Sequence, residues 1–341
     1  MAVERKIEQV LRVYPDDCQP RAVEALLETG GFSGARLWRL QSPYGPLCLR
    51  RWPPGHPDQQ RLEFIQAVLW HVDQEGFHRV PLPLETRHRH GYVLFAGHLW
   101  ELTHWLPGTA DYRRRPSPAR LKNALAALAK FHCAAATFPL PDNGPVDSPG
   151  ILERRGRLRG LLEGRIDVLR AATHNGAWPE LAARGQVLLE LFSVAAPRVM
   201  ATLESAARLH VGLQPCIRDV WHAHVLFQDD DVSGIVDFGS MRPGSVAADV
   251  ARLLGSLACD DAEAWKMGLR AYERVRPLSD DERQLVAAFD QSTVLMGGLQ
   301  WLEWLYLEER VFSDPAGVLA RVDEFVQRLG TLVRRGGIDF G

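Results

Sequence analysis

Two carboxylates flank a short apolar repeat. Asp219 lies in Cys216-Ile-Arg-Asp-Val-Trp-His-Ala-His-Val-Leu-Phe227, and Asp237 lies in Ser233-Gly-Ile-Val-Asp-Phe-Gly239. Between them, Val225–Phe227 and Gly234–Val236 read as strands on either side of the polar turn Asp229-Asp230-Asp231. Such a hairpin fixes one Asp relative to the other. A carboxylate in the first position can accept the proton of an attacking hydroxyl and aim its oxygen. A carboxylate in the second can hold a hard divalent cation on nucleotide phosphates. This is the chemistry of phosphoryl transfer. Alone, either Asp reads as a turn residue; the pairing carries the signal.

The neighbouring residues fit around that pair. Arg218 can offset negative charge beside Asp219. His224 has three open readings: a nitrogen ligand to the metal, a hydrogen-bond partner of Asp219 or the phosphates, or a packing residue; His222 is a weaker candidate of the same kind. In Leu47-Cys-Leu-Arg-Arg-Trp52, strand alternation puts Cys48, Arg50 and Trp52 on one face. No lysine occurs between Lys6 and Lys122. Arg50 is therefore the candidate phosphate-binding cation, offering a planar fork in place of a point charge. Glu63, on the helix that follows, can pair with it. Gly30, Gly31, Ser33 and Gly34 form a loop whose backbone N–H groups can cover phosphates. Asp249, after Pro243-Gly244, reads either as a buried carboxylate bracing the Asp219 loop or as an ordinary first-turn helix acid. The basic run Arg154-Arg155-Gly156-Arg157-Leu158-Arg159 reads either as a solvated face or as an attractor of an anionic substrate.

These residues need a scaffold, and the chain has one. Residues 5–13 and 21–29 read as short helices. Strands follow at Ala35–Leu40 and Pro46–Trp52, then a helix over Asp58–Glu75 and strands at Tyr92–Phe95 and His98–His104. Trp105-Leu-Pro-Gly108 breaks the pattern. From Ser117, a helix start, the chain is mainly helical apart from the hairpin: 151–173, 178–208, 247–258, 261–275, 280–309 and 315–335. The expected fold class is α+β and bilobal. A small β-rich nucleotide-binding lobe spans 1–105, and a larger helical lobe spans 106–341 and contains the hairpin 216–239.

The 341 residues carry a formal net charge of −2, which argues against a nucleic-acid partner. No apolar run suggests a membrane span, and the charged N-terminus lacks a signal core. Five scattered cysteines, Cys18, Cys48, Cys133, Cys216 and Cys259, suggest neither a disulfide framework nor a zinc site. The expected setting is reducing and cytoplasmic.

In these motifs the chain resembles the aminoglycoside phosphotransferase and choline kinase family, the small-molecule branch of the protein-kinase-like fold, from about Gly30 to about residue 310. The family loop usually reads like HGDLHPGN, followed by a strand, a turn and IDF; Gly234-Ile-Val-Asp-Phe-Gly matches the second part. The resemblance implies that Asp219 is the catalytic Asp, Asp237 the metal-binding Asp and Asp249 the aspartate of the family's GDPxxDLA segment. His224 stands where the family has a metal-binding Asn, and Arg50 where it has a lysine. Trp100-Glu101-Leu102-Thr103 through Gly108 looks like the hinge that carries adenine, with Glu101 and Thr103 on the cofactor. The implied activity is transfer of the γ-phosphate of ATP, with Mg²⁺ or Mn²⁺, to a hydroxyl of a small molecule. The alternative is a nucleotide-binding or scaffolding module without transfer activity, because the lysine and the Asn are both replaced.

Overall fold

The computed structural model describes residues 2–26, 34–141, 144–312 and 314–335. The chain divides into two compact units. The first comprises 1–139 and 222–242, and the second comprises 140–221 and 243–341. Residues 106–139 and most of the hairpin thus group with the N-terminal sheet.

The first unit is built on an antiparallel sheet in the order β1-β2-β3-β5-β4. Its strands are β1 (Ala22–Leu26), β2 (Arg36–Ser42), β3 (Gly45–Arg51), β4 (Val93–Phe95) and β5 (His98–His104). Alternation sorts the side chains onto two faces. Trp38, Leu40, Leu47, Leu49, Trp100 and Leu102 point to one face. There they pack with Ile7, Val10 and Leu11 of helix α1 (Ala2–Leu11) and with Tyr14 and Cys18. Each fully buried Leu in this layer contributes about 1.5–3 kcal/mol. Arg39, Cys48, Arg50, Glu101 and Thr103 alternate with them, and β3 and β5 pair Cys48 with Thr103 and Arg50 with Glu101. The helix expected over 21–29 is a strand where it is described. Ala22–Leu26 pairs with Leu37–Gln41 as an exposed edge. Ala-Val-Glu-Ala-Leu has good helix propensity, but the open hydrogen-bonding edge of β2 overrides it.

Two helices complete this unit. Helix α2 (Gln59–Gln74) starts at Asp58, whose carboxylate accepts the Arg61 N–H at 2.8 Å. Helix α3 (Pro118–Ala135) starts at Ser117, with Pro118 at its first position. Arg120 of α3 is buried against the Phe227 ring, donates to the Arg115 carbonyl at 2.7 Å and pairs with Asp111. It ties the helix to the segment entering it.

Further short strands are β6 (Val146–Asp147), β7 (His210–Val211) and β8 (Gln214–Cys216); the hairpin strands are β9 (Val225–Gln228) and β10 (Asp231–Ile235), and β11 is Arg242–Gly244. The hairpin register shifts between Val232 and Gly234, a bulge at Ser233. Ser233 Oγ donates to the Pro107 carbonyl, and Thr109 and Phe227 exchange backbone hydrogen bonds at 3.0 and 2.9 Å. Gly108 makes this docking possible. Its φ is +101°, and a Cβ there would stand 2.3 Å from Ser233 Oγ and 2.7 Å from the Phe227 carbonyl.

The second unit is helical: α4 (Pro149–Gly160), α5 (Ile166–His174), α6 (Pro179–Ala206), α7 (Val246–Leu257), α8 (Ala262–Glu273), α9 (Asp280–Leu302) and α10 (Pro315–Arg335). The stretch expected as one helix over 151–173 is interrupted, because Glu163 and Gly164 leave helical geometry between α4 and α5. Helix α9 opens with a capping box, Ser279 and Glu282 each accepting the other's backbone N–H. Against the expectation that no segment suggests a membrane span, α6 is long and apolar enough by length and composition alone. It packs inside this unit against α4, α5, α9 and α10.

Gly108→Ala is expected to destabilise the first unit by about 1–3 kcal/mol, from left-handed strain and the clash with the hairpin. Urea unfolding of the variant against the wild type measures it, and an unchanged midpoint would show that the hairpin docks by other means.

Candidate active site

Arg50 is the centre of the polar face in the first unit. Its Nη1 donates to Asp237 Oδ1 at 3.2 Å, and its Nε lies 3.9 Å from Glu101 Oε1. The guanidinium lies over the Trp52 ring, 4.4 Å from the centroid. Burial opposes its charge, but Asp237, Glu101 and Cys48 together raise its pKa above the ordinary arginine value. Glu101 also accepts from Gln66 Nε2 at 3.1 Å. Burial nevertheless dominates there and raises the Glu101 pKa, against the opposing pull of Arg50 and Gln66.

Asp237 faces His224 as well as Arg50. Its Oδ2 is 3.3 Å from His224 Nε2. Burial pushes its pKa up, yet Arg50, His224 and the Gly239 N–H outweigh that and hold it below the usual range. The residue sits at φ +66°, a conformation rare outside glycine. Gly239 clears the space behind it, since a Cβ there would stand 2.9 Å from the Trp52 ring. One carboxylate and one imidazole nitrogen, side by side and partly exposed, are a donor set that suits a divalent cation accepting both oxygen and nitrogen.

In the second unit, helix α7 governs the Asp219 loop. Asp249 is fully buried in its first turn. Its two oxygens accept the Ile217 and Arg218 backbone N–H groups, each at 2.7 Å. Arg218 is held at φ +70°, and its side chain donates to Glu153 at 3.0 Å. One helical turn after Asp249, Arg252 donates to Asp219 Oδ1 at 2.8 Å. The Asp219 carboxylate remains about half exposed. A carboxylate fixed on one oxygen and open to solvent can orient a hydroxyl.

Several expectations look different in place. Glu63 does not pair with Arg50. It is exposed and accepts from the Tyr92 hydroxyl at 2.6 Å and from Gln59 at 3.1 Å. Gln66, one turn later, faces the sheet instead, and the carboxylate beside Arg50 comes from its cross-strand neighbour Glu101. Glu101 is therefore engaged in mid-strand rather than at a hinge. Thr103 is buried opposite Cys48, whose thiol burial pushes up to about 11. Gly31 and Ser33 lie outside the described residues; Gly34 is described, at φ +74°. Sequence reasoning missed Arg252, Gln66 and the Glu101–Arg50 pair. Arg252 was open to detection as the i+3 neighbour of Asp249.

A phosphotransferase enzyme family model matches residues 27–285. The chain belongs to this family. A homoserine kinase from Acidiphilium cryptum is 28% identical over 241 residues, covering 67% of this chain and 65% of that protein, so the match falls just short of two thirds of its length. A homoserine kinase from Rhodopseudomonas palustris is 24% identical over 294 residues, covering 82% and 79%. Among solved structures, an aminoglycoside phosphotransferase from Alicyclobacillus acidocaldarius superposes with a TM-score of 0.61 at 18% identity, covering 96% of this chain and 94% of that one. A spectinomycin phosphotransferase in complex with ADP and spectinomycin superposes at 0.69 and 10% identity, covering 96% and 97%. The kinase-like fold expected from the sequence is the fold observed. These relatives bear the names of small-molecule kinases or phosphotransferases, and none favours a module without transfer activity.

Two expectations follow for this family member. Carboxyl ¹³C titration should place the Asp237 midpoint below the ordinary 3.8 and the Glu101 midpoint above the ordinary 4.5. The signs differ in their effect on stability. A depressed Asp237 stabilises the fold above the unfolded pKa and loses that contribution as pH falls through the folded one. A raised Glu101 favours the fold below its ordinary 4.5 and withdraws that help as pH rises from there through its higher folded pKa. An Asp237 midpoint at or above 3.8 would mean that Arg50 does not offset burial. Separately, Asp249→Ala leaves two N–H groups without their acceptor, at about 1–3 kcal/mol each if they stay buried. Thermal unfolding and turnover should both fall, and retention of full turnover would show that the loop holds its shape unaided.

Proposed function

We propose that the protein is an ATP-dependent kinase that phosphorylates a hydroxyl of a small-molecule acceptor. The observation that carries this reading is the state of the Asp219 loop. Both backbone amides before Asp219 are held by the buried Asp249, and the Asp219 carboxylate is held by Arg252. A loop that had lost its chemistry would not need this support.

In the reaction, the acceptor hydroxyl oxygen forms a bond to the γ-phosphorus. The bond from that phosphorus to the bridging oxygen breaks, and ADP departs with the electron pair. The hydroxyl proton passes to Asp219, which orients the oxygen until it attacks. Arg50 supplies the positive charge that the family's lysine would bring to the phosphates, and its fork lets it hold Asp237 at the same time. Asp237 and His224 would hold the divalent ion, Mg²⁺ or the more nitrogen-tolerant Mn²⁺, which neutralises phosphate charge when bound. The two relatives compared by sequence bear the name homoserine kinase, so homoserine is the first acceptor to try.

Asp219→Ala should lower kcat by about 10²–10⁴ while nucleotide binding stays within about threefold, since the proton acceptor is lost and the phosphate contacts remain. Asp237→Ala should instead abolish the metal-dependent rise in melting temperature given by ATP. Near wild-type turnover in the first variant, or an undiminished metal-dependent shift in the second, would overturn the assigned roles.

A further inference from the structure

The arginines of the basic run on α4 have separate fates. Arg159 is exposed. Arg157 donates to Glu303 at 2.8 Å, and Arg165 reaches the same carboxylate at 2.7 Å. Arg154 has no carboxylate in contact among the described residues. Its Nε donates to Ser292 Oγ at 3.0 Å and one terminal nitrogen donates to Thr293 Oγ1 at 3.1 Å. Its guanidinium lies over the Phe289 ring, 4.9 Å from the centroid. Ser292 is itself fixed, donating to the Ala288 carbonyl at 2.7 Å.

This arrangement orients a charge without neutralising it. A guanidinium has five N–H donors in a rigid fork. Two hydroxyls take the side edge and leave the terminal edge, which has the geometry of a carboxylate receptor. The surroundings add to the demand for an anion. Burial first, then Arg218, push the Arg154 pKa down to about 10; Glu153 pulls it back, and Arg252 and Arg157 lower it further. It remains protonated at neutral pH. Arg252 is the residue that holds Asp219, so the unneutralised fork and the hydroxyl-orienting carboxylate share one neighbourhood of the second unit. The two oxygens and single charge of a carboxylate match one free guanidinium edge and its one charge.

We propose that Arg154, with Arg218 beside it, binds a carboxylate of the acceptor, so that the molecule phosphorylated is a small hydroxy-carboxylate. This rests on the kinase reading above.

The test is a panel of short hydroxy-carboxylates, L-homoserine among them, each paired with its carboxamide and assayed with ATP and Mg²⁺. The acids should be preferred over their amides. Arg154→Met should raise KM for the acids by about ten- to a hundredfold, the loss of charge-assisted hydrogen bonds, with kcat within about threefold. Arg154→Lys should lie between, and Arg159→Met should match the wild type. Equal use of acid and amide, or an unchanged KM in Arg154→Met, would overturn the carboxylate subsite and leave the kinase reading standing. Should no member be phosphorylated, calorimetry of the same panel separates the two ideas. Acid binding that depends on Arg154 would support the subsite while the kinase reading fails, and no such binding would overturn the subsite. If Arg154→Met does not fold, the acid-against-amide comparison on the wild type decides.

Discussion

A single buried carboxylate sets the shape of the Asp219 loop. Asp249 has no exposed surface, and its two oxygens are occupied by two backbone amides at 2.7 Å. Burying an ion is costly unless it is hydrogen-bonded, and here backbone donors help to meet that need. The helix contributes too. Asp249 lies in the first turn of α7, where the amide dipoles favour negative charge. The clamp also explains the left-handed backbone at Arg218, a conformation that costs free energy and persists only where its surroundings impose it. Because Arg252 follows on the same helix face, the element that bends the backbone also holds the Asp219 side chain. Backbone and side chain of the loop are thus referred to one rigid helix rather than to two independent supports.

An arginine at residue 50 has structural consequences that a lysine there would not have. A lysine offers one ammonium, but the guanidinium at Arg50 reaches Asp237 with one nitrogen and approaches Glu101 with another. Its flat face lies on Trp52, and the Trp52 ring in turn requires that residue 239 be glycine. Arg50, Trp52, Glu101, Asp237 and Gly239 therefore form a matched set. Substituting lysine for Arg50 alone would leave the aromatic face without its planar partner and Glu101 buried with less compensation. These residues are interlocked, so a change at one is felt by the others.

Much of this was legible from the sequence, and the failures have physical causes. The hairpin and its two Asp residues could be read because they depend on short-range order, strand period and turn residues. For Asp249 the sequence left bracing and an ordinary first-turn acid both open, and the structure shows the bracing. Glu101 beside Arg50 depends on the register between β3 and β5, which no local pattern states. The acid on the nearby helix, Glu63, was the natural candidate, yet its turn of α2 faces Tyr92 and solvent. The β1 edge strand was misread because its residues favour a helix in isolation and a strand only beside β2. Arg154 could be read as part of a basic run, but only packing separates it from Arg157 and Arg159.

That separation gains meaning from the way this chain treats its other inward arginines. Arg120 has Asp111, Arg276 has Glu282, and Arg328 has both Asp260 and Asp290. Arg50 has Asp237 and Glu101. In each case the cost of withdrawing a guanidinium from water is offset by a carboxylate of the same chain. Hydroxyl groups and an aromatic ring orient Arg154 as firmly, but they return less electrostatic free energy than an anion would. Arg39 and Arg51 of the first unit also lack a carboxylate among the described residues and lie over Trp105 and Trp100. What sets Arg154 apart is an oriented fork within electrostatic reach of the arginine holding Asp219, where the proposed anion is the acceptor's.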